Sequence, residues 1–246
     1  MTKMLGTLVT SSRGLSTSRN GDNERMRDSV IRRINFDFDE GRVRPRWRGR
    51  MHLAAAIAVV PAGALLVAFS RSTAARIGAA VFAIALTAMY ATSGVYHAMI
   101  RTKRLQQVFQ RIDHSMIYVL IAGTFTPLCL VAMPHRWVLP ALVVVWAVAA
   151  CGVALCLTWK AQRIAEALYI ILGWVAVIAL PSMWRHGVAG AVLIVIGGLA
   201  YTIGAYLFAK QRPHLKPQVF GYHELWHVFT LIAGAAHFAA IATLVS

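Results

Sequence analysis

Two histidines four residues apart, His223 and His227, open an apolar stretch that runs to Val245. On an α-helix residues i and i+4 lie one above the other, so both imidazoles share a face and reach one metal ion. Buried in an apolar helix without partners such a pair is costly, and a bound cation satisfies both rings. The literal string His223-Glu224-Leu225-Trp226-His227 is also the zinc-peptidase pattern, with Glu224 as general base. Its usual completions are missing: no acid follows Glu224, and His237 stands ~15 Å beyond His227 along a helix axis. The third ligand must come from another stretch. His97 is the best candidate, which leaves a three-histidine zinc site with an open position for water. His237 reads as a structural or hydrogen-bonding residue.

The elements that must position these side chains are membrane spans. Of 246 residues 58% are hydrophobic and 14% charged, and residues 1–50 hold six of the nine acids and twelve of the twenty-five Lys and Arg. The remainder is nearly all apolar, with several stretches reaching the ~20 residues that cross a ~30 Å hydrocarbon core. The fold class is therefore all-α, a polytopic bundle of seven transmembrane helices, expected near 52–69, 75–98, 114–133, 138–158, 164–183, 187–209 and 222–245. Short connections predict antiparallel up-and-down packing. Gly197, Gly198, Ala200 and Gly204 allow close approach in the sixth span, and Pro61, Pro127 and Pro181 predict kinks. Residues 1–50 read as a disordered basic tail and 51–246 as the membrane domain. The run Arg42-Val43-Arg44-Pro45-Arg46-Trp47-Arg48-Gly49-Arg50 suits a juxtamembrane anchor to anionic headgroups. A net charge of +16 thus reads as tail and loop charge facing a membrane, with membrane lipids and not nucleic acid as the partner. Cys129, Cys151 and Cys156 lie in apolar stretches and read as small core residues.

Loop charge gives the orientation. If the tail is cytoplasmic, its side also carries Arg101, Lys103, Arg104, Arg111, Lys160, Arg163, Lys210, Arg212 and Lys216, against Arg71, Arg76, Arg136 and Arg185 opposite. This bias predicts a multi-pass plasma-membrane protein with a cytoplasmic N-terminus and a C-terminus outside. His97 then ends the second span, Asp113 opens the third, and His223 and His227 open the seventh, all near the cytoplasmic face. Ser93 precedes His97 by one turn and shares its face.

The strings Ser93-Gly94-Val95-Tyr96-His97, Asp113-His114-Ser115-Met116-Ile117-Tyr118, Ala122-Gly123-Thr124-Phe125-Thr126-Pro127 and His223-Glu224-Leu225-Trp226-His227 with His237-Phe238 resemble the hemolysin III family. That family is the bacterial branch of the progestin and adipoQ receptors, in a superfamily that includes alkaline ceramidases. The resemblance covers about residues 45–246. It implies a seven-helix fold with zinc held by His97, His223 and His227, Asp113 in contact with the metal-bound water, and Ser93 close by.

Zinc with three neutral ligands brings bound water to a pKa near 7. Asp113 would orient that water and take its proton, and Ser93 would donate a hydrogen bond to developing negative charge. These residues fit a membrane-embedded hydrolase of lipid amide or ester bonds whose substrate enters from the inner leaflet. Two other classes stay open: a receptor or regulator of membrane state with structural zinc, and a pore-forming cytolysin. No span carries a polar stripe long enough to line a water channel, which speaks against a simple pore.

Overall fold

The computed structural model describes residues 26, 36–37, 42–158, 162–213 and 219–246. The chain divides into two compact units, Met1–Arg44 and Pro45–Ser246. In the first, Phe36–Asp37 pairs antiparallel with Arg42–Val43, Phe36 opposite Val43. The tail expected over residues 1–50 lies for the most part outside the described residues, as do Lys160 and Lys216.

The second unit is helical and carries seven segments long and apolar enough to cross a membrane. Helices α1 (Arg50–Ala68), α2 (Thr73–Ala98) and α3 (Lys103–Pro127) come first, followed by α4 (His135–Thr158). The fifth span is broken into α5 (Gln162–Trp174), a 3₁₀ stretch (Val175–Ala179) and α6 (Leu180–His186). Helices α7 (Val188–Ala209) and α8 (Tyr222–Val245) complete the bundle. Chain neighbours pack on each other, and α8 returns against α1, α2 and α3.

Three features depart from the expected pattern for identifiable reasons. Helix α3 begins at Lys103 and not near residue 114. Its first turns, Lys-Arg-Leu-Gln-Gln, are strong helix formers that hydropathy does not register. The expected loop charges Lys103, Arg104 and Arg111 therefore lie on a helix, and Gln106 there is buried with its Nε2 donating to Ile100 O at 3.4 Å. The third span ends in a π-turn, Leu128–Ala132, directly after Pro127. The fifth narrows to 3₁₀ immediately before Pro181. A proline lacks an N–H and its ring crowds the preceding turn, so the helical ladder rearranges beside it. Pro61 lies inside the continuous helix α1. Cys129 and Cys156 are buried as expected, whereas Cys151 is exposed on the outer face of α4, because the helix turns ~100° per residue and carries it away from the bundle.

Small residues let α7 approach α8. A Cβ at Gly197 would stand 2.3 Å from the His237 ring, and one at Gly204 would stand 2.6 Å from Phe229 Cβ. Contact at this range is what replaces hydrophobic drive between helices in a bilayer. Gly198 faces open space and takes no part in it. Thr124 and Thr126, in the turn before the π-turn, return their hydroxyls to Leu120 O and Ala122 O at 2.8 Å, so their polarity is satisfied within α3.

Candidate metal centre

Each metal-ligand candidate is placed near the end of a helix. Ser72 caps α2, its hydroxyl accepting from Ala75 N at 3.2 Å, and the helix runs unbroken until His97 stands in its last turn. Gly221 precedes α8, and Glu224 Oε2 reaches back to accept from Gly221 N at 2.7 Å. This fixes the first turn of α8, which carries His223 and His227. Asp113 comes from α3, about three turns after its start at Lys103, and its carboxylate reaches the His97 end of α2.

The three histidines converge. His97 Nε2 and His223 Nε2 face each other at 3.3 Å. One ring nitrogen of each of His97, His223 and His227 lies within 4.8 Å of the others. Ring centroids are 4.6 Å apart for His97–His223, 4.9 Å for His97–His227 and 5.0 Å for His223–His227. His97 and His227 are buried and His223 is half-buried. Asp113 Oδ2 stands 3.7 Å from His97 Nε2, and the Ser93 hydroxyl donates to the Asp113 carboxylate. Ser93 is thus engaged with the acid, one turn from His97.

This set fits a zinc ion. Tetrahedral bonds of 2.0–2.1 Å place two ligand nitrogens about 3.3 Å apart, the His97–His223 separation. The Nδ1 of His227 is buried with no hydrogen-bond partner among the described residues, a costly state for a neutral ring that metal binding or an added donor relieves. Three imidazoles with one carboxylate alongside are a donor set suited to zinc.

The residues outside the cluster are equally informative. Glu224 is fully buried, but its Oε1 accepts from Arg48 Nε at 2.7 Å and its Oε2 from Gly221 N, so it turns away from the three histidines. The peptidase-like reading of Glu224 as base has no geometric support. Arg48, expected among lipid headgroups, is instead buried in this ion pair; a guanidinium that meets a buried carboxylate is held inside, whereas Arg46 and Arg50 beside it are exposed. His237 is remote from the triad, its Nε2 3.4 Å from Ile194 O. Sequence reasoning missed His52, which stacks on His227 with centroids 4.1 Å apart and planes at 15°, and Tyr90, whose hydroxyl donates to Thr230 O at 3.2 Å. A histidine opening the first apolar run was the one available signal for His52.

With the arrangement in view, its relatives fall into place. The sequence model described as "Haemolysin-III related" matches residues 41–238. The chain is 31% identical over 166 residues to the Hemolysin-3 homolog of Bacillus subtilis (strain 168), covering 65% of this chain and 74% of the relative. It is 29% identical over 198 residues to Hemolysin-3 of Bacillus cereus, covering 77% and 86%. A heptahelical transmembrane protein of Oryza sativa subsp. japonica is 26% identical over 188 residues, covering 68% and 81%. The chain belongs to the hemolysin III family, within the wider group of progestin and adipoQ receptors.

Proposed function

We propose that this protein is a zinc-dependent hydrolase of lipid amide or ester bonds, resident in the plasma membrane. Zn2+ would be held by His97, His223 and His227 near the cytoplasmic face. The observation that carries the reading is the convergence of those three histidines with Asp113 and Ser93 on one end of the bundle. What a bound Zn2+ supplies at such a site is Lewis acidity, which polarises a carbonyl and makes water acidic near neutral pH.

The protein's own groups supply the rest. Asp113, beside the histidines but not required as one of them, accepts the proton of an attacking water. Oxygen from that water joins the acyl carbon, the C–N or C–O bond breaks, and the proton passes from Asp113 to the leaving amine or alcohol. Ser93 holds the Asp113 carboxylate in place through its hydrogen bond. Apolar helices around the site exclude bulk water and keep the acyl chain in hydrocarbon. The test is release of free fatty acid from a panel of short-chain ceramides and phospholipids by the purified protein in detergent. Release that a zinc chelator abolishes and added zinc restores is expected. Zinc-loaded protein inert on both bond types would shift the reading to a receptor or regulator of membrane state with structural zinc.

The cytoplasmic placement rests on the Lys and Arg asymmetry between alternate connections. A periplasmically active phosphatase fused after Ser246 is expected to be active, and one fused to a truncation ending at Thr102, between α2 and α3, is expected to be silent. The reverse pattern would put the site on the outer face and remove the inner-leaflet substrate.

A further inference from the structure

The segment entering α1 touches both histidine-bearing helices within five residues. Arg48 Nε donates to Glu224 Oε1 at 2.7 Å with both side chains fully buried, and Glu224 is the residue after His223. Gly49, at φ 77°, lies against the end of α2: a Cβ there would meet Ala98 N at 2.7 Å and both Gly94 O and His97 Cβ at 2.8 Å. Only glycine meets the left-handed backbone and the close approach together. His52, fully buried, lays its ring on that of His227. Its Nε2 stands 2.8 Å from Thr230 Oγ1, and that hydroxyl donates to His227 O at 2.8 Å. A hydroxyl has one proton, so Thr230 accepts from His52, and His52 carries its own proton on Nε2.

We propose that Arg48–His52 is a positioning clamp for the metal centre. Arg48 holds the first turn of α8 through Glu224, Gly49 lets the chain close onto the His97 turn of α2, and His52 fixes the plane of the His227 ring by stacking, while its bond to Thr230, whose hydroxyl donates to the His227 backbone carbonyl, ties it to the same turn of α8. The clamp sets the separation of His97 from His227 before a metal arrives. None of the three residues touches the reacting atoms; each acts through a ligand or its neighbour, as outer partners of metal ligands do. The inference rests on the metal-site reading above.

The test uses the full chain in detergent, stripped of metal and titrated with Zn2+ against a chromophoric chelator, then with Co2+ for its visible ligand-field bands. Variants are His52→Leu, which removes stack and relay, His52→Phe, which keeps the stack alone, and Arg48→Met. Ile57→Ala, on the exposed face of the same helix, is the control. Zinc affinity is expected to fall ~10–100-fold in His52→Leu and Arg48→Met, less in His52→Phe, and not at all in the control. The Co2+ bands are expected to shift in His52→Leu and in His52→Phe. If His52→Leu fails to fold, His52→Phe carries the test. Variants with lowered thermal stability but parental zinc affinity and Co2+ bands would overturn the clamp and leave the metal site standing. A parent that takes up neither ion would overturn both.

Discussion

Asp113→Asn is expected to retain the zinc that the proposed function requires and to lose the proposed lipid-hydrolase turnover by ~100-fold or more. The substitution keeps size and the capacity to accept a hydrogen bond from Ser93, but removes the charge that takes a proton. The carboxylate comes from α3, a different helix from those bearing the histidines, and Oδ2 stands 3.7 Å from His97 Nε2, near enough to work beside the metal without replacing a ligand. Glu224→Gln is the informative comparison. Its carboxylate is committed to Arg48 and to the Gly221 N–H, so in zinc-saturated protein the change should touch turnover little, while zinc affinity falls as in Arg48→Met and stability falls by up to ~3–5 kcal/mol for a buried charge left without its partner. Zinc content, thermal unfolding and fatty-acid release by both variants separate the roles. Greater loss of turnover from Glu224→Gln, with zinc retained, would move the base to Glu224.

The spans were legible because hydropathy registers residues that must face lipid, and the triad was legible because helix period and span direction together place His97, Asp113, His223 and His227 at one end. What escaped was encoded by neither rule. Arg48 and Glu224 are separated by 176 positions and His52 and Thr230 by 178, so no local spacing links them. An arginine run before a first span has an ordinary explanation in headgroup charge, and burial of one member depends on a carboxylate delivered by the last helix. The early start of α3 was hidden for a different reason: Lys103–Ile112 is polar enough to read as a loop, yet its residues favour helix. At Pro127 a kink was expected, and the helix changes to a π-turn directly after it.

The family relationship narrows the activity without choosing it. Hemolysin-3 of Bacillus cereus and a heptahelical transmembrane protein of Oryza sativa are both similar to this chain in sequence, and one fold hosts more than one function. The choice between chemistry and signalling therefore lies in the site, where three histidines could hold a metal ion.

The most direct measurement is the metal content of the purified chain by mass spectrometry, alongside its single histidine variants. About one zinc per chain is predicted for the parent and for His237→Ala, whose ring lies against Ile194 O and Gly197, away from the triad. His97→Ala, His223→Ala and His227→Ala should each drop to a small fraction of that, since two imidazoles hold zinc far less tightly than three. A parent without zinc after growth and dialysis in zinc-containing buffer, or a His97→Ala variant that keeps its full complement, would contradict the account.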